Sequence, residues 1–172
     1  MQAARGTALN QPRTLLALLA LNTVVLDAAT KALVVERLEG REPVHLGPIT
    51  FEVSRNSGAA FSFAQGATVI FTLIAIGVAV YIVRTLPRLK SLGWTVTLGL
   101  LLGGALGNLT DRLTRAPGFG RGAVVDFIHL PHFATFNVAD SAITIGAGIA
   151  ILLSFLGVEV DGSRGGHGRM DG

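Results

Sequence analysis

GAAFSFAQGATVIFTLIAIGVAVYIV, residues 58–83, carries no Asp, Glu, Lys or Arg. It exceeds the roughly 18–20 residues needed to cross about 30 Å of hydrocarbon at 1.5 Å per residue. Two more charge-free runs follow, residues 91–110 (SLGWTVTLGLLLGGALGNLT) and 141–158 (SAITIGAGIAILLSFLGV). A fourth run, residues 14–35, is long enough but holds Asp27 and Lys31 near its end. Charged residues make up 15% of the chain, against about a quarter in an ordinary soluble domain. The fold class read from this pattern is mainly α and integral to a membrane. Four transmembrane helices are expected, at about 14–36, 66–84, 91–113 and 138–157, in one domain covering 1–157.

The segments between the runs differ in character. In residues 37–65, Ile49-Thr50-Phe51-Glu52-Val53 alternates apolar and polar, the period of a half-buried strand, and Gly40, Pro43, Gly47 and Pro48 mark turns around it. A small sheet lying on the bilayer surface fits. Residues 114–137, with Pro117, Gly118, Gly120, Gly122 and Pro131, read as a bent loop. Residues 158–172, rich in Gly and charge, read as a disordered cytoplasmic tail. Arg5 and Arg13 ahead of a Leu-rich run look like the start of a cleavable signal. The apolar stretch is longer than a signal core, however, and no small-x-small site follows, so a retained first helix is expected. Three cations between Arg84 and Lys90 suit a cytoplasmic turn, which puts both termini inside.

Net charge is only +3, and the cations are spread between apolar runs with no basic stripe, so nucleic acid is not an expected partner. The absence of cysteine excludes a disulfide, a thiolate metal site and a thiol nucleophile.

The polar residues converge. With four alternating spans, helices one and three end on the side where two and four begin. Asp27 and Lys31 lie near the end of helix one, and Asn56 just before helix two. Asn108, Asp111 and Arg112 close helix three, Asp126 sits in the following loop, and Asn137 and Asp140 open helix four. Every Asp before the tail thus falls at one membrane face. Gly104, Asn108 and Arg112 form an i, i+4, i+8 stripe beside Asp111. Ionisable groups bordering apolar spans are costly and point to function, but plainer readings compete. Asp27 and Lys31 read equally as an i, i+4 ion pair fixing a helix end. Gly103, Gly104 and Gly107 read equally as close helix contacts, and Asp111-Arg112 as an interfacial pair.

Asp126 and Asp140 each sit inside an apolar stretch, Val124-Val125-Asp126-Phe127-Ile128 and Ala139-Asp140-Ser141-Ala142-Ile143. Desolvation and mutual repulsion would keep one of two neighbouring carboxyls protonated. Such a pair can take a proton from water and give one to a carbonyl oxygen. Spacing leaves open whether the two side chains meet. Rival readings are an ion-handling transporter, a metalloprotease using His129 and His132 without an HExxH motif, and a serine peptidase using Ser57, Ser62 or Ser141.

Five blocks resemble the bacterial lipoprotein signal peptidases, also called signal peptidase II. They are Leu26-Asp27-x-x-Thr30-Lys31, Asn56-Ser57-Gly58-Ala59-Ala60-Phe61-Ser62 and Gly103-Gly104-Ala105-Leu106-Gly107-Asn108-Leu109-Thr110-Asp111-Arg112. Then come Gly122-Ala123-Val124-Val125-Asp126-Phe127-Ile128 and Phe136-Asn137-Val138-Ala139-Asp140-Ser141-Ala142-Ile143. The resemblance implies four spans, an extracytoplasmic β-like cradle and an aspartyl endopeptidase of the bacterial inner membrane, without metal or other cofactor. The implied substrate is a diacylglyceryl-modified prolipoprotein, cut on the amino side of its lipidated cysteine at the outer leaflet. By position, Asp126 and Asp140 are catalytic. Asn56, Gly104, Asn108, Arg112 and Asn137 lie near the active site, with Asp27, Lys31 and Asp111 in support. Membrane lipid is an expected partner, and the chain is expected to be monomeric. Ala28 and Ala29 depart from the more polar or bulky residues usual there, and the Asp126–Asp140 interval is short for the family.

Overall fold

The computed structural model describes residues 3–57 and 64–164. Four helices are long and apolar enough to cross a membrane, and a small sheet sits between them in sequence. Helix α1 (Ala3–Leu38) starts well before the expected position and runs through Pro12. Helices α2 (Ala64–Thr85), α3 (Leu92–Thr114) and α4 (Val138–Phe155) follow. A short 3₁₀ turn, Leu86–Arg88, joins α2 to α3.

Helix α3 is the centre of the bundle, packed chiefly against α1 and α4 and less against α2. Half of its apolar window is buried, against 11–22% for the other three helices, whose outer faces leave Leu18, Leu21, Ile70, Leu73, Ile151 and Phe155 exposed. Side chains this apolar have no reason to face water in such number, and a bilayer is the solvent that suits them. The glycines of α3 allow the close packing. A Cβ on Gly104 would lie 2.5 Å from the Ala139 carbonyl oxygen, and one on Gly103 would lie 2.6 Å from Thr23 Cβ.

The sheet has three antiparallel strands in sequence order, β1 (Val44–Leu46), β2 (Ile49–Asn56) and β3 (Val124–His129). Strand β2 contains the alternating segment and runs on to Asn56. Strand β3 falls where the sequence reads as loop. Its first four residues are all buried, so it lacks the alternation of a half-exposed strand. The register sets Ser54 opposite Asp126 and Asn56 opposite Val124, with an irregularity between Phe51 and Ser54.

The expected disordered tail is folded over its first residues. Val158 and Arg164 bridge a turn, and the Trp94 indole donates to the Val158 carbonyl at 2.7 Å. Residues 58–62 of the second block, including Ser62, lie outside the described residues, as do 165–172.

Candidate active site

Asn137 organises the site. It is the N-cap of α4, where an amide side chain satisfies a backbone N–H that the helix cannot. Its Oδ1 accepts from the Asp140 N–H at 2.9 Å, and the Asp140 carboxylate accepts from the Asn137 N–H at 3.3 Å, closing a capping box. With Oδ1 committed to a donor, Nδ2 faces the acceptors. It donates to Asp126 Oδ1 at 2.6 Å and lies 3.1 Å from Asn108 Oδ1. One fully buried residue therefore holds both aspartates, Asp126 through its side chain and Asp140 through its backbone.

The remaining carboxylate oxygens are met by amides from other elements. Asn56, diagonal to Asp126 across the β2–β3 ladder, donates from Nδ2 to Asp126 Oδ2 at 2.9 Å. Asn108 on α3 donates to Asp140 Oδ1 at 2.7 Å. Asp126 is only 2% exposed, and its carboxyl is pushed up to about 6. Burial is the main cause and the charge of Asp140 adds to it, while the Asn56 and Asn137 hydrogen bonds pull the other way.

A second set of charges lies behind this pair. Lys31, 1% exposed, contacts Asp27 Oδ2 at 2.7 Å, Asp111 Oδ2 at 3.0 Å and Asn108 Oδ1 at 3.1 Å. Asp27 Oδ1 accepts from the Ala139 N–H at 2.9 Å, and Asp111 Oδ2 from the Val125 N–H at 3.1 Å. Each of these carboxylates thus grips the backbone one residue before a member of the aspartate pair. Asp111 pairs with Lys31 and with Arg115, one helical turn on, and not with its sequence neighbour Arg112.

Arg112 turns instead toward a cleft of about 380 Å³ between α2, α3 and α4. Its guanidinium lies 5.5 Å from the Phe71 ring centroid, and its Nη1 is buried with no partner among the described residues. Asn56, Asn108, Arg112 and Asp140 give the cleft a polar end, and Phe71, Ile74, Val78, Leu101 and Ile143 line the rest. Gly104 does not line it. Its place is the α3–α4 contact, which brings Asn108 within reach of Asp140, and a Cβ on Gly107 would lie 2.9 Å from Asp27 Oδ2 and 3.2 Å from Ala139 Cβ.

Two of the rival side chains are engaged elsewhere. Ser141 Oγ donates to the Asn137 carbonyl, and His129 Nδ1 pairs with Thr135 Oγ1. Among the described residues, no three His, Cys, Asp or Glu side chains gather as metal ligands. Sequence reasoning missed Phe71, an aromatic inside an apolar span with no local signal. It also missed Arg115, although the i, i+4 spacing from Asp111 was there to be read.

The family model described as Signal peptidase (SPase) II matches residues 19–156. The chain belongs to the signal peptidase II family. It is 53% identical over 146 residues to a lipoprotein signal peptidase of Streptomyces coelicolor, covering 84% of this chain and 72% of that one. It is 46% identical over 154 residues to one from Mycobacterium tuberculosis, covering 87% and 76%. A solved bacterial membrane enzyme superposes with a TM-score of 0.68 at 32% identity, covering 80% of this chain and 90% of that one. The protein is a bacterial membrane peptidase with four apolar helices and a three-stranded sheet.

Proposed function

We propose that this peptidase removes the signal peptide from diacylglyceryl-modified prolipoproteins, cutting on the amino side of the lipid-modified cysteine with water activated between Asp126 and Asp140. The observation that carries the reading is the shared grip of Asn137 on both carboxylates. Asp140 opens on the cleft and serves as the general base. Asp126, buried and with its carboxyl near 6, is the proton holder. Water attacks the scissile carbonyl carbon as Asp140 takes a water proton and Asp126 protonates the carbonyl oxygen. As the tetrahedral diol collapses, Asp140 gives its proton to the cysteine nitrogen, the C–N bond breaks, and a diol hydroxyl returns a proton to Asp126. Arg112 Nη1, without a partner among the described residues, suits a substrate carbonyl at the polar end of the cleft, and the apolar walls suit a substrate that never leaves the bilayer.

The carboxylate end faces outward and both termini face the cytoplasm of a bacterial inner membrane, with the chain acting as a monomer. Purified protein should cleave a diacylglyceryl-modified lipobox peptide and leave the unmodified peptide intact. No cleavage of the modified peptide in lipid or detergent would remove the proposal. The cysteine-free chain also permits a topology test with an impermeant thiol reagent. Cysteines introduced at 45, 57 and 118 should label from outside, and one at 88 only after permeabilisation.

A further inference from the structure

At the end of the bundle away from the carboxylates lies a second, roomier cavity of about 730 Å³. Tyr81, Arg84, Arg88, Lys90, Glu159 and Asp161 line it. One wall is the end of α2 with its 3₁₀ turn. The other is the turn after α4, a built element. Lys90 and Ser91 both donate backbone N–H groups to the Val160 carbonyl at 3.1 Å, Glu159 and Ser163 are hydrogen-bonded through their backbones, and Trp94 holds Val158. Arg13 of α1 donates to the Leu86 carbonyl at 3.2 Å, bringing another guanidinium to the same end.

We propose that this cavity binds the phosphate headgroup of an anionic phospholipid in the leaflet opposite the carboxylates. Three cations line it, and none of them is ion-paired with a described residue. Of the two acids, Asp161 is engaged by the Ser163 backbone and hydroxyl. That leaves Glu159 as an acceptor for headgroup hydroxyls. The cavity sits where α2 ends and α3 begins, at headgroup depth for any bilayer the four helices span, and basic pockets between helix ends attract anionic headgroups there. A lipid suits it better than a free phosphate because the adjoining face of α2 is apolar and open. Tyr81 is 66% exposed and Val83 55% exposed, an interfacial aromatic above a surface for acyl chains.

The chain has a single tryptophan, and it holds one wall of this cavity, so intrinsic fluorescence reads the site. Full-length protein stripped of lipid in a neutral detergent would be titrated with phosphatidylglycerol, phosphatidylcholine or inorganic phosphate. Phosphatidylglycerol should change Trp94 emission saturably, at least about tenfold more tightly than phosphatidylcholine, as expected when headgroup attraction comes from several surface cations. The triple variant Arg84→Gln, Arg88→Gln, Lys90→Gln should lose that preference while keeping the thermal stability of the parent. Single variants should fall between, and they carry the test should the triple variant not fold. An equal response to phosphatidylcholine, an equal response to inorganic phosphate, or full retention by the variants would each overturn the proposal.

Discussion

Asp27 and Asp111 share an ammonium, whereas Asp126 and Asp140 share an amide. The first pair is bound to buried Lys31, with Arg115 also on Asp111, so charges cancel within the cluster. The second pair is held by Asn56, Asn108 and Asn137, none of which carries charge. A cation beside a carboxylate favours its ionised form and compensates its charge. An amide orients a carboxylate while leaving its proton negotiable. Four carboxylates in one network thus divide into two that are charge-paired and grip the backbone and two that are held by neutral amides.

The largest effect should come from removing titration while keeping shape. Asp126→Asn and Asp140→Asn retain the size of the side chain and lose its ionisable proton. Each should lower turnover by about 10²–10⁴-fold or more, the usual loss when a general acid or base is removed, with the protein still folded. Cleavage of a modified lipobox peptide at matched protein level measures this. Substantial turnover by either variant would erase the distinction between the two pairs.

The next effect belongs to the cation-bound pair and appears in stability. Lys31→Met leaves two buried carboxylates without their shared counter-charge, and breaking such a pair typically costs about 3–5 kcal/mol. Adding Asp27→Asn removes one of the stranded charges, so the double variant should melt at a higher temperature than Lys31→Met alone. Asp27→Asn by itself should lower activity only in part, because it disturbs the Ala139 N–H grip behind Asp140 without touching the dyad. A Lys31→Met protein as stable as the parent would show that the two pairs are not wired differently after all.

Much of this division was visible in the sequence, and the rest has identifiable reasons for being hidden. The spans were legible because the charge-free runs are as long as the bilayer is thick. Convergence at one face followed from helix parity. Asn137 ahead of an apolar run with Asp140 three residues later is a helix-start signature, and the cap is what aims both aspartates. Strand β3 was hidden because both its faces are covered, so VVDFIH carries no alternation. The reading of Asp111-Arg112 as an interfacial pair, one of those left open, gives way to Arg115, because i and i+4 meet on a helix and sequence neighbours do not. The role of Gly104 stayed open because small size serves helix contact and substrate access alike. The structure puts it against Ala139.

The smallest effect is a pH dependence, and its sign separates the two pairs most finely. The Asp126 carboxyl lies near 6 in the folded protein and at 3.8 when unperturbed. A carboxyl raised by folding contributes stability that is fully present below the unfolded value and is lost as pH rises through the folded value. Two units correspond to about 3 kcal/mol at most. Asp126→Asn cannot ionise and escapes this loss. Any mismatch between its new amide and the donors Asn56 and Asn137 adds only an offset that does not change with pH. The melting temperature of Asp126→Asn relative to the parent should therefore rise between about pH 4 and pH 6 and level off above that. Carboxylates remote from Asp126 and Asp140 act equally on both proteins and cancel in the difference. Melting curves measured in one detergent across that range would decide it, and two parallel profiles would mean that folding does not raise the Asp126 carboxyl.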